Sequence, residues 1–139
     1  MSSWRQQALI ESPVEAVWEL VGDPNRYPEW ASEIVEVTGL PTVEKDAIFQ
    51  QVSKDLGETE VVNFRIEEFD EAIRTIQMRC LESRFYLRAA LTEAQGNTFV
   101  EIETGTSKGD LEAEADEENR QFFIRLADEM LDGLGKAAG

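Results

Sequence analysis

The chain predicts an α+β fold in which an antiparallel sheet of about seven strands is covered by a long carboxy-terminal helix, with two short helices after the first strand. Three observations carry this. A double helix-entry signal fills Ser12–Trp30 (SPVEAVWELVGDPNRYPEW), four alternating segments follow in close succession from Thr59 to Ser107, and the last segment bears an apolar stripe at helical spacing. With 139 residues, 42% of them hydrophobic, one globular domain over residues 1–139 is expected to enclose a core without staples. No repeat, linker or low-complexity stretch suggests a boundary.

Residues Trp4–Glu11 (WRQQALIE) read as an opening strand. Ser12 is expected to cap the first helix, Pro13 to take its first position, and Glu15 to close a capping box. Val14, Val17, Trp18 and Val21 then recur at i, i+3, i+4 and i+7, giving one apolar face. Gly22 is expected to end this helix in a left-handed conformation, and Asp23-Pro24 to start a second. That second helix must be short, because Pro28 pushes Tyr27 away from helical geometry. Tyr27 and Trp30 therefore stand on a constrained corner.

Two strands follow, Ile34–Leu40, stopped by Pro41, and Ala47–Ser53, with a turn at Asp55-Leu56-Gly57. The four closing strands are Thr59–Phe69, Ile73–Cys80, Arg84–Glu93 and Thr98–Ser107, the last turn being Gln95-Gly96-Asn97. Because side chains alternate, their register is testable. A three-residue loop Asp70-Glu71-Ala72 would set Glu68 opposite Arg74, Ile66 opposite Ile76 and Phe64 opposite Met78. A turn at Gln95-Gly96 would set Leu91 opposite Val100, Ala89 opposite Ile102 and Leu87 opposite Thr104. One face then reads Val62, Phe64, Ile66, Ile76, Met78, Phe85, Leu87, Ala89, Leu91, Val100 and Ile102, while the other is polar, with Arg88 opposite Glu103. One face is wet and one is covered.

The covering element begins beyond the acidic run Asp110–Glu118, which favours a helix amino terminus. Phe123, Leu126, Ala127, Met130 and Leu134 fall on one helical face, widened by Phe122 and Leu131. A helix of about 20 residues reaches roughly 30 Å, enough to cross the sheet. Gly133 and Gly135 are expected to fray its end.

Charge limits the partners. Asp and Glu number 29 against 13 Lys and Arg, a net charge of −16, so nucleic acids and anionic membrane surfaces are repelled. With lysine restricted to Lys45, Lys54, Lys108 and Lys136, adaptation to a salty cytoplasm is one reading and an ordinary solvated surface the other. No apolar run approaches the ~18–20 residues of a membrane span and no signal peptide precedes the first strand, so a cytoplasmic location is expected. The lone Cys80 allows no internal disulfide and, with no histidine in the chain, has no imidazole to activate it; a buried, inert thiol is expected. The absence of histidine also removes triad and zinc-water mechanisms, and neither a metal nor a cofactor is expected.

The element order and the pairing of Ser12-Pro13 with Asp23-Pro24 and Tyr27-Pro28-Glu29-Trp30 resemble the START-related helix-grip (SRPBCC) superfamily, and within it the polyketide cyclase/dehydrase-like group. The resemblance covers essentially the whole chain, and Tyr27-Pro28-Glu29 followed by Trp30 is also similar to ubiquinone-binding relatives. It implies a curved sheet wrapped around the long helix, with a cavity for a hydrophobic ligand between them. Cavity candidates are then Tyr27, Trp30, Phe64, Arg74, Met78, Phe85, Leu87, Thr104, Phe123 and Met130. Glu68, Arg74, Thr104, Thr106 and Gln50 are the polar residues expected on the covered face.

Three functions stay open. A small binding protein for a lipid, quinone or aromatic polyketide-like molecule fits an apolar face with few catalytic groups. A cyclase, aromatase or dehydratase would draw on Arg74, Glu68 and Tyr27. An acidic module would dock a basic protein partner. Against the chemical role stand plainer ones, an ion pair for Glu68 with Arg74 and packing for Tyr27 and Trp30. A monomer or homodimer is expected.

Overall fold

The computed structural model describes residues 2–55, 58–82, 85–106 and 113–138. Seven strands form one antiparallel sheet: β1 (Ser2–Ile10), β2 (Ile34–Thr38), β3 (Ile48–Asp55), β4 (Glu58–Asp70), β5 (Thr75–Cys80), β6 (Phe85–Ala94) and β7 (Asn97–Thr106). Their spatial order is β1-β7-β6-β5-β4-β3-β2, so the first two strands lie on opposite edges. Helix α1 (Val14–Val21) and a 3-10 helix (Pro24–Glu29) bridge those edges, and helix α2 (Ala113–Ala138) runs under the sheet. The expected turn at Leu56-Gly57, the strand ends Arg84 and Ser107, and the start of the expected acidic run, within residues 107–112, lie outside the described residues.

Alternation predicts the β6–β7 ladder as it stands. Leu91 pairs with Val100, Ala89 with Ile102 and Leu87 with Thr104, across a Gln95-Gly96 turn whose two φ angles are +53° and +85°. The β4–β5 ladder differs. Phe64 pairs with Cys80 and Ile66 with Met78, and a bulge between Ile66 and Glu68 sets Glu68 against Gln77 and Phe69 against Ile76. The turn is one residue longer than expected because Arg74 adopts φ +48° within it, which moves the whole ladder. The bulge then rotates the strand end, so that two consecutive carboxylates share the outer face. Glu67 accepts from Gln77 and Arg79, and Glu68 accepts from Arg88. Phe69 turns inward and stacks on Trp18, centroids 5.8 Å apart.

The expected Glu68–Arg74 pair is therefore absent. Arg74 Nη2 instead lies 3.4 Å from a Glu15 carboxylate oxygen, tying the β4–β5 turn to α1. Arg88 and Glu103 are backbone neighbours as read, but their side chains part, Glu103 accepting from Arg5 at 2.6 Å and from Tyr86 at 2.7 Å. Burial alone would raise the Glu103 carboxyl. Those two hydrogen bonds and the Arg5 charge outweigh it and hold the pKa below the ordinary carboxylate range.

At the front, Ser12 does not cap α1. Its carbonyl accepts from the Thr98 hydroxyl at 2.8 Å, and Pro13, with φ −61° and ψ 148°, becomes the cap residue without a side-chain bond. Asp23 does cap the 3-10 helix, accepting from the Asn25 amide at 3.0 Å. Gly22 ends α1 at φ −79°, not in the left-handed region. Its role is close approach: a Cβ there would stand 2.6 Å from the Trp18 indole. Trp18, expected in the core, is thus half-buried at the rim, while Leu20 joins Val14, Val17 and Val21 inside.

Helix α2 continues through Gly133 and Gly135 with no break, and Leu134 between them is fully buried. The expected fraying is overridden by packing. Gly133 lies directly on the Trp30 carbonyl, where only a hydrogen fits. Phe123, Ala127, Met130, Leu131 and Leu134 form the buried stripe against the sheet.

Candidate functional site

The inner face of the sheet and α2 do not close on each other completely. Between them is a cavity of about 460 Å³. It lies within the ~300–1,000 Å³ range of small-molecule sites. Its walls come from alternate residues of successive strands: Gln51 and Ser53 of β3, Val62 and Phe64 of β4, Met78 and Cys80 of β5, Phe85 and Leu87 of β6, and Thr106 of β7. Phe123, Leu126 and Met130 of α2 form the floor, and Tyr27 with Ala31–Ile34 closes one side.

The open end is marked by the lining residues that reach solvent, namely Ser32, Lys54, Glu60, Glu82, Phe122 and Glu129. They cluster where β3 meets β4 and β5 meets β6. At the other end of the strands α1 plugs the sheet, through Trp18 on Phe69 and Glu15 on Arg74. Mouth and plug are thus at opposite ends.

A row of rings crosses the interior. Trp4 and Phe123 stand 5.2 Å apart, Phe123 and Phe85 5.0 Å, Phe85 and Phe64 6.4 Å, and Phe64 and Phe49 5.7 Å, alternating tilted, stacked and edge-on contacts. The row links β1, α2, β6, β4 and β3. Polar lining is sparse and local. The Gln51 amide donates to the Ser53 hydroxyl at 2.9 Å, and the Cys80 thiol lies 3.3 Å from a Glu82 oxygen. Glu82 also accepts from the Asn63 side-chain amide at 2.7 Å, which holds its carboxyl below the ordinary range.

Of the residues expected here, Tyr27, Phe64, Met78, Phe85, Leu87, Phe123 and Met130 come together around the cavity. Trp30, Arg74 and Thr104 do not line it, and Glu68 is on the outer face. Tyr27 donates its phenol to the Val21 carbonyl at 2.9 Å, and burial pushes that phenol well above its usual range. Trp30 donates its indole N–H to the Leu20 carbonyl at 3.1 Å and meets Tyr27 edge-on at 5.0 Å. Both polar edges are used up in pinning the 3-10 helix to α1.

Gln50 points outward and its neighbour Gln51 lines the cavity. The strand AIFQQVS offers two opposed faces, Ile48 with Val52 or Phe49 with Gln51. The larger ring decides, since Phe49 is 1% exposed while Ile48 is 48% exposed. Counting from that aromatic would have found Gln51 and Ser53. The rim acids carried no such signal, because carboxylates are spread along the whole chain.

Thr104 is fully buried and its hydroxyl has no hydrogen-bond partner among the described residues. An orphaned buried hydroxyl costs about 1–3 kcal/mol, so Thr104→Val is expected to raise the melting temperature by a few degrees. Thermal unfolding of the two proteins checks this; a fall would mean that the hydroxyl has a partner in solution.

The family model described as polyketide cyclase / dehydrase and lipid transport matches residues 1–139. No curated protein matches the chain. Among solved structures, the protein XoxI from Bacillus cereus is 19% identical, with a TM-score of 0.81 over 99% of this chain and 96% of that one. The di-domain ARO/CYC BexL, of a biosynthetic pathway, is 15% identical with a TM-score of 0.86 over 99% of this chain, which spans 46% of that longer one. The Zhui aromatase/cyclase from a Streptomyces species is 19% identical, with a TM-score of 0.76 over 98% of this chain and 93% of that one. At such identities the likeness establishes the fold.

Proposed function

This chain belongs to the polyketide cyclase / dehydrase and lipid transport family, and from that premise we propose that it binds a small hydrophobic molecule between sheet and helix without transforming it. The observation that carries the reading is the cavity itself, walled by Phe64, Met78, Phe85, Leu87, Phe123 and Met130. Apolar surface lining an open space is favourably covered by an apolar guest, at roughly 25 cal/mol per Å² removed from water. Ring-bearing guests suit the Phe123–Phe85–Phe64 row, which offers π faces and edges on one wall.

A cyclase or dehydratase is the weaker reading. Its proposed polar set was Arg74, Glu68 and Tyr27. Arg74 lies at the plugged end, Glu68 bonds Arg88 on the outer face, and the Tyr27 proton is committed to Val21. The remaining interior polar groups, Gln51, Ser53 and Thr106, are poor general acids and bases. No helix among the described residues is long and apolar enough to cross a membrane, which suits a carrier of single molecules rather than a membrane channel of helices.

Cys80 provides the test, as the one cysteine of the chain and a lining residue. Decanol, or a neutral fluorescent dye such as N-phenyl-1-naphthylamine, is expected to slow alkylation of Cys80 by iodoacetamide at least about fivefold and to raise the melting temperature. Saturating decanol that changes neither would defeat the reading.

A further inference from the structure

The mouth of the cavity is acidic although the walls are apolar. Glu60, Glu82 and Glu129 stand at it, against Lys54 as the one cationic lining residue among those described. Arg125 also stands close, its guanidinium 5.7 Å from the ring centre of Phe122 at the rim. Counting it, three carboxylates stand against two cations among these described residues. Hydrogen bonds from Asn63 hold the Glu82 carboxyl below the ordinary range, and Glu60 and Glu129 are solvent-exposed. The net charge of −16 adds a long-range field of the same sign.

We propose that the occupant is a neutral or cationic amphiphile, such as an alcohol, quinone or amine on an apolar body, and that free carboxylic acids and phosphate esters are excluded. This rests on the cavity-binding reading and adds the charge class of the guest. A guest that buries its apolar body leaves its head group at the mouth, within a few ångströms of the rim carboxylates. There a carboxylate or phosphate meets repulsion, an alcohol meets hydrogen-bond acceptors, and an ammonium meets attraction. Among the described interior lining residues none is cationic, and Arg74, the cation expected at the rim, is at the other end of the sheet paired with Glu15.

The experiment compares decylamine, decanol and decanoate, below their micelle thresholds, as competitors of bound N-phenyl-1-naphthylamine at pH 7.5 and low salt. Equal chains make the apolar contribution nearly constant, so the differences report the head group. Decanoate is expected to bind at least about tenfold more weakly than decylamine, and the ratio to shrink towards about threefold in 0.5 M salt as the rim is screened. Glu60→Lys with Glu129→Lys should narrow the low-salt ratio further. Decanoate binding as tightly as decylamine while decanol also binds would overturn the charge assignment and leave the cavity reading standing. Failure of the dye and of all three competitors to bind would overturn the cavity reading, and this proposal with it.

Discussion

Gly133→Ala is expected to lower the melting temperature by about 10 °C, a large effect for one added methyl group. An ideal Cβ at that position would stand 1.9 Å from the Trp30 carbonyl oxygen and 3.1 Å from its carbon. The obstacle is backbone, so no rotamer change relieves it. Either α2 lifts from the sheet where Met130 and Leu134 are buried, or the Trp30 corner moves and strains its bond to Leu20. Alanine gains roughly 1 kcal/mol in helix propensity, and the steric cost must exceed that for the protein to lose stability. Gly135→Ala is the control. Its Cβ would meet Ile10 Cδ1 at 3.7 Å, an ordinary contact, so propensity should prevail and the melting temperature rise by a few degrees. Thermal unfolding followed by circular dichroism compares the two. Equal effects at both positions would show that the helix does not rest on Trp30 as described.

Val62→Trp is expected to weaken binding of N-phenyl-1-naphthylamine by more than tenfold while leaving the melting temperature within a few degrees. Val62 is half-buried on β4 opposite Gln51 and is one of the residues that line the cavity. An indole there takes volume from the guest and finds Phe64 and Phe85 nearby to pack on, so the fold gains contacts where the ligand loses them. Substitution on the outer face of the same strand, at exposed Val61, should leave dye affinity unchanged. Full dye binding by Val62→Trp would mean that the guest sits elsewhere.

Much of this architecture was readable from residue order because the signals were redundant. On β6 Phe85, Leu87, Ala89 and Leu91 fall on every second position, the Gln95-Gly96 turn tolerates positive φ, and β7 answers with Val100 and Ile102, so several independent cues agree on one register. Helix α2 was equally plain from the spacing of Phe123, Ala127, Met130 and Leu134. On β4 the apolar alternation Val62, Phe64, Ile66 stops at Glu67-Glu68, with Phe69 next, and a strict two-residue period carried across that step overlooks the bulge after Ile66. Placing Glu68 inside followed directly from that, and with it an acid–base pair that the folded chain does not make. Arg74 was lost to the same error, compounded by a turn whose extra residue depends on Arg74 tolerating φ +48°.

The cavity shows the same division. Sequence alone determined which residues face inward across most of the sheet, that a helix would cover them, and that no histidine chemistry operates. Only the tertiary structure decided that those inward residues stop short of filling the space, that the opening lies at the β3–β4 and β5–β6 end, and that Glu60, Glu82 and Glu129 stand at it. Alternation and helical period are properties of neighbouring residues, so they survive in the one-dimensional string. The distance between sheet and helix is set by contacts such as Gly133 on the Trp30 carbonyl, between residues about a hundred positions apart. That distance determines whether an apolar face becomes a solid core or a binding site.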